Sequence, residues 1–150
     1  MNEAPCDLRG PWAWNEARTF LETATVPIRV AANGAGGFPV IVPLWFQWAQ
    51  DHFWLAVKPS AAIAALLERD PRCAFDISVE DPPYKGVRGH GNATVVPEGF
   101  PVLEALVDRY VGEAAPNFRS WLLNRSKDES AIKIHPIKLI AWDFSGRMSR

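Results

Sequence analysis

The sequence has little sulfur and almost no net charge. Among 150 residues there are two cysteines, Cys6 and Cys73, two methionines and three histidines. No Cys-x-x-Cys occurs and no histidine stands at zinc-ligand spacing, so neither a disulfide framework nor a structural metal site is written into the chain. Cys73 alternates with Phe75, Ile77 and Val79, the pattern of a buried strand thiol rather than a nucleophile, while Cys6 sits in a polar leader where exposure is expected. The formal charge of −1 lacks the basic excess that a phosphate-backbone binder displays, which argues against nucleic acid as a partner.

Long apolar runs are also missing. No stretch reaches the roughly 18 consecutive apolar residues that span a bilayer. The opening MNEAPCDLRGPW has no basic start followed by an apolar stretch, so a secretory signal is not expected and the reading is cytoplasmic. No Ser, His and Asp set has nucleophile spacing, and no paired carboxylates suggest glycoside chemistry; hydrolase readings drop out.

What is present is size and aromatic surface. With 48% hydrophobic and 22% charged residues, the chain fits one globular domain over 1–150 that can bury a real core. Seven tryptophans, eight phenylalanines and two tyrosines supply burial area and surfaces on which planar ligands or subunits stack.

Periodicity divides the chain into elements. Pro11 to Glu22 predicts a short helix with Trp14, Ala17, Phe20 and Leu21 near one face. Thr25 to Ala32 alternates as a strand, with Val26, Ile28 and Val30 on one side and Arg29 on the other, and 33–37 is a glycine-rich turn. Pro39 to Trp48 returns as a strand apolar on both faces, and Pro43, which cannot donate to a ladder, puts it at an edge or bulge. His52 to Val57 is a third strand. Ser60 to Asp70 changes to helical period, with Ser60 as candidate N-cap and Pro71 as terminator. Strands follow at Arg72 to Val79 and Gly86 to Val96, then helical stripes at Val102 to Tyr110 and around Phe118, Trp121 and Leu122, and a last strand at Ile137 to Phe144. Helices are too few for a doubly wound parallel sheet. A mainly β fold results: an antiparallel barrel with peripheral helices.

The succession of 37–46 (GFPVIVPLWF), Phe53-Trp54-Leu55-Ala56, Leu67 to Arg72, 87–93 (VRGHGNA) and 136–144 (PIKLIAWDF) resembles the pyridoxamine 5'-phosphate oxidase-like split β-barrels, flavin (FMN)-binding proteins of antiparallel Greek-key type. The resemblance covers most of the chain. It implies an oxidoreductase that works as a homodimer on a small-molecule substrate, with FMN, or in some branches the deazaflavin coenzyme F-420 or haem, held in clefts between subunits. By positional match, Val42, Pro43, Leu44 and Trp45 would run along the flavin ring, Ala56, Val57 and Lys58 would pass its ribityl and phosphate region, and Trp142 would approach from the closing strand. The family's basic run at the helix start is replaced here by Ser60-Ala61-Ala62-Ile63, leaving Lys58, Lys85 or Arg88 and the amides after Ser60 to meet a phosphate.

Other readings stand beside this one. Arg88 and His90 share the polar face of a strand in which Gly89 and Gly91 either admit a ligand or thin the strand for packing. His90 is the candidate haem ligand or proton donor, whereas His52 and His135 read as surface or capping groups. Non-catalytic flavin or haem binding is the alternative class, and a dimeric interaction module without cofactor is a third. No catalytic side chain is nominated.

Overall fold

A computed structural model describes residues 3–148. Its centre is an eight-stranded sheet in the order β3-β2-β6-β7-β8-β5-β4, with β1 pairing β8 off that path. The strands are β1 (Asp7–Arg9), β2 (Ile28–Asn33), β3 (Pro39–Leu44), β4 (Gln47–Ala49), β5 (His52–Val57), β6 (Arg72–Ser78), β7 (Lys85–Val96) and β8 (Ser130–Asp143). The helices are α1 (Trp14–Thr23), α2 (Ala62–Arg69), α3 (Phe100–Tyr110), α4 (Pro116–Asn124) and α5 (Ser145–Met148). All pairings are antiparallel except that of β1 with β8. The mainly β expectation holds: the sheet curls into a half-barrel with helices at its periphery.

Alternation explains how the sheet closes. Along β5, Phe53, Leu55 and Val57 are buried while Trp54 and Ala56 are only half-buried. In β6, Cys73, Phe75 and Ile77 point inward. These side chains meet Ile28, Val30, Val87, Ile132, Ile134 and Leu139 in one core. Burial of this kind is worth about 1.5–3 kcal/mol per large apolar side chain. α1 packs on the core through Trp14, Ala17 and Leu21 of the predicted face, while Phe20 is half-buried.

β8 organises the curl. It lies along β7 throughout, pairs with β5 through its first residues and with β1 through Lys138–Ile140. A register shift between His90 and Gly91, opposite Pro136 and Lys138, bends both strands. β8 begins at Ser130 rather than at the expected Ile137, and Pro136 does not interrupt it. The proline sits instead at the shift, where a missing donor costs least. Gly89 and Gly91 serve the same approach: a Cβ would lie 2.0 Å from the Lys138 carbonyl oxygen at one and 2.2 Å from the His135 carbonyl oxygen at the other. The neighbouring strand fills the room these glycines leave, which is the packing reading rather than the ligand one.

Other boundaries moved for local reasons. The predicted strand Pro39 to Trp48 is two strands, broken at Trp45 and Phe46. Pro43 does lie on an edge strand, since β3 ends the sheet. Ser60 is not the cap of α2; Ala61 holds the N-cap position with no side-chain hydrogen bond, so the helix start keeps free amides. Among the described residues no helix is long and apolar enough to cross a membrane.

Candidate functional site

A concavity with a volume of about 840 Å³ lies between the β3 edge, the end of β5, the start of α2, and the pair α3 and α4. Its walls are mainly apolar: Pro27, Val42, Leu44, Trp45, Ala56, Val57, Ile63, Leu103, Leu106, Phe118 and Leu122. The volume is within the range of small-molecule and cofactor pockets. Chain path dictates which residues arrive. Val42 pairs with Val30 and Leu44 with Ile28, so both share the inner face with that buried core. Val57 is inward on β5. Lys58 follows where the strand ends, and α2 begins after a turn closed by the Ala61 amide on the Lys58 carbonyl, 2.9 Å.

Trp45 is held from behind. Its ring stacks on Tyr110 with centroids 5.1 Å apart and planes within 5°. The Tyr110 hydroxyl accepts from the Phe46 amide at 3.2 Å and lies 3.0 Å from the Val26 carbonyl, to which it donates. Beside it, Arg109 donates to the carbonyls of Leu21 at 2.9 Å, Glu22 at 2.7 Å and Ala24. That cation at the C-terminal end of α1 answers the unpaired carbonyls and the negative end of the helix dipole. Thus α3 is fastened both to α1 and to the chain entering β4, and Trp45 has little freedom.

One end of the cavity is polar. Lys58 Nζ lies 3.7 Å from Glu129 Oε1, and Ser126 and Glu129, both buried, complete that end. Lys58 also donates to the Arg125 carbonyl at 3.4 Å. Burial pushes the Glu129 carboxyl above its ordinary range, against the opposing pull of Lys58. Ile63, at a position where the resembling family carries cationic character, is 5% exposed and part of the apolar wall.

The structure divides the residues singled out from the sequence. Val42, Pro43, Leu44, Trp45, Ala56, Val57 and Lys58 line this cavity together; Ser60 lies just outside the wall formed by Ala61, Ala62 and Ile63. Lys85 faces Asp143 across β7 and β8 in a separate depression with Trp12 and Phe20. Arg88 belongs to the row Pro43, Arg29, Asp76, Arg88 and Ile140, which crosses β3, β2, β6, β7 and β8 on the outer sheet face. Trp142 pairs with Gly86 on the same two strands as Arg88, and its ring lies 5.2 Å from Phe144. Within one chain these three therefore do not reach the cavity. His90 is exposed on the outer face between Ala74 and Lys138.

Sequence alone does not place Glu129, Ser126 or the roof residues of α3 and α4 at a site. The apolar stripes of both helices were visible, but nothing in one sequence says what a stripe covers. Cys73 is buried, donates to the Gly91 carbonyl at 3.6 Å, and is pushed up to about 11, consistent with an inert thiol. Cys6 is half-buried rather than exposed, and burial together with Asp7 and Asp51 pushes it up to about 11 as well. Among the described residues no group of three or more His, Cys, Asp or Glu gathers as a metal centre.

No family's sequence model and no curated protein matches the chain. Solved structures do match its fold. The conserved hypothetical protein Rv2991 from Mycobacterium tuberculosis superposes with a TM-score of 0.72 at 22% identity, over 95% of this chain and 89% of that one. An F420 reductase gives 0.64 at 20% identity, over 79% of this chain and 92% of that one. A putative pyridoxamine 5'-phosphate oxidase from Listeria innocua gives 0.64 at 16% identity, over 87% of this chain and 97% of that one. At such identities the likeness shows the fold alone, and that fold is the split barrel.

Proposed function

We propose that the protein is a flavin-class oxidoreductase that binds the ring of FMN or of a deazaflavin in the 840 Å³ cavity and works as a homodimer. The observation that carries this reading is the convergence of Val42 to Trp45 and Ala56 to Lys58, far apart in sequence, on one apolar pocket of cofactor size. The names of the F420 reductase and of the Listeria protein agree with a redox cofactor in this fold.

The ring half of such a cofactor fits the residues present. Trp45, stiffened by Tyr110, and the apolar wall formed by Val42, Leu44 and Ile63 would hold it, and Leu103, Leu106 and Phe118 would shield it from water. The phosphate half fits one chain less well. Lys58, the cation in the wall, is already paired with Glu129. Bound there, the cofactor supplies hydride transfer; the chain's share is to orient, exclude water and tune charge. Lys58, Glu129, Ser126 and the Trp45 indole N–H are the groups in the wall that can donate or accept a hydrogen bond through their side chains.

The second copy answers the phosphate deficit. The outer sheet face carries Ile41 at 66% exposure and Ile137 at 46%, and Phe38, just before β3, is 80% exposed. Arg88 lies on that same face. In the proposed dimer Arg88 of one copy would supply a cation near the β3 edge of the other, where Pro43 belongs both to the outer row and to the cavity rim. The haem alternative gains nothing from the cavity, whose wall contains no histidine, cysteine or methionine.

The test is the visible spectrum of the purified protein mixed with FMN, with the deazaflavin or with haem and freed of excess. Retained flavin or deazaflavin absorption supports the reading. Retained haem alone, or no chromophore, overturns it.

A further inference from the structure

His52 and His135 are separated in the chain by most of the barrel, yet His135 Nδ1 lies 3.4 Å from His52 Nε2, with ring centroids 5.2 Å apart. The sheet brings them together. Phe53 pairs with Ile134, and His52 and His135 are the next residues along β5 and β8, so both imidazoles leave the same outer face at adjacent positions. Two features of the pair exceed those of a chance surface contact. First, two nitrogens each about 2.1 Å from one ion and separated by the tetrahedral angle lie about 3.4 Å apart. Second, His52 Nδ1 is 2.6 Å from the Gln50 carbonyl and donates to it, which fixes the tautomer and leaves the Nε2 lone pair facing His135. The anchoring carbonyl belongs to a tight turn, with Gln50 and Asp51 at φ 54° and 61°, directly joined to a paired strand.

We infer that His52 and His135 form a two-nitrogen chelate for one divalent first-row transition-metal ion of the imidazole-preferring class, Cu²⁺, Ni²⁺ or Zn²⁺, with water filling the remaining positions. The pair lies on β5 and β8, and neither histidine belongs to the wall of the large cavity, so this site is independent of the proposed cofactor. With His52 neutral and its Nδ1–H on the Gln50 carbonyl, the donor between the two rings is His135 Nδ1–H; coordination moves that proton to His135 Nε2 and leaves both facing nitrogens as donors to the ion. The charged residues adjoining the pair in sequence are Asp51, directly before His52, and Lys133, two residues before His135, whose Nζ stands 5.1 Å from the centre of the Trp54 ring. Asp51 favours a dication and Lys133 opposes it, so the affinity order should follow the intrinsic preference, Cu²⁺ tightest. Trp54, with its ring 6.2 Å from that of His52, is a built-in reporter.

The experiment is calorimetric titration of tag-free protein with Cu²⁺, Ni²⁺ and Zn²⁺ separately, on the wild type and on His52→Ala, His135→Ala and His90→Ala, with circular dichroism confirming the fold of each. The expected result is one ion per chain, Cu²⁺ tightest, at least tenfold weaker binding in either His52→Ala or His135→Ala, and no change in His90→Ala. Cu²⁺ should also quench part of the tryptophan emission of the wild type and less of it in His135→Ala. Binding equal in the wild type and both pair variants, or lost only in His90→Ala, would overturn the assignment.

Discussion

Lys58 Nζ and Glu129 Oε1 stand 3.7 Å apart at the polar end of an otherwise apolar cavity, with the lysine half-exposed and the glutamate buried. This pairing neutralises the cation that a cofactor phosphate would seek. In Glu129→Gln the lysine is released, so FMN should bind about tenfold more tightly while riboflavin, which lacks the phosphate, changes little. Lys58→Ala should weaken FMN and again spare riboflavin. Fluorescence titrations with both ligands decide; equal changes for the two would place the phosphate elsewhere.

The same carboxyl gives a pH dependence of known sign. Its folded value is raised, first by burial, above the ordinary 4.5. Ionised Glu129 therefore costs folded-state stability: the cost is absent below the unfolded value, grows as pH rises through the window up to the folded value, and is complete above it. The melting temperature of Glu129→Gln relative to the wild type should rise with pH across that window and level off above the folded value. A difference that falls with pH would contradict the burial of this group.

Arg109 carries three helix-end carbonyls of α1 and lies over Phe46, 5.0 Å from the ring centroid. Arg109→Ala leaves those acceptors unpaired and loosens the support of Trp45 through Tyr110. A loss of about 2 kcal/mol or more is expected in denaturant unfolding. Arg109→Lys, which cannot reach three acceptors with a rigid fork, should recover only part of it.

Much of the fold was legible because period-2 and period-3.6 patterns depend on the chain's own residues. The strand His52 to Val57 matched residue for residue, and α1 buried the face its spacing named. What was hidden depends on partners in space. The start of β8 at Ser130, ahead of the expected Ile137, shows only in its pairing with β5 and β7. Of the candidate site, the two strand segments from β3 and β5 were legible through resemblance, whereas Glu129 was not, since a glutamate following Lys127 and Asp128 reads as part of a solvated charged turn. Only the fold shows it buried beside Lys58.

The outer face gives a further prediction. With Ile41 and Ile137 paired against a second copy, light scattering should report twice the 16.7 kDa chain mass. Ile41→Glu puts a charge into that contact and should yield a monomer with an unchanged circular dichroism spectrum. A wild-type monomer at micromolar concentration would remove the intersubunit site.

The central claim is that the large cavity holds a flavin-class ring, and Ala62 offers a direct test. It is exposed at the first residue of α2 and belongs to the cavity wall, so Ala62→Trp fills the space without disturbing the core. Equilibrium titration of FMN and of the deazaflavin should show saturable binding to the wild type and loss of it in Ala62→Trp at an unchanged melting temperature. Equal binding by both proteins, or by neither, would contradict the account.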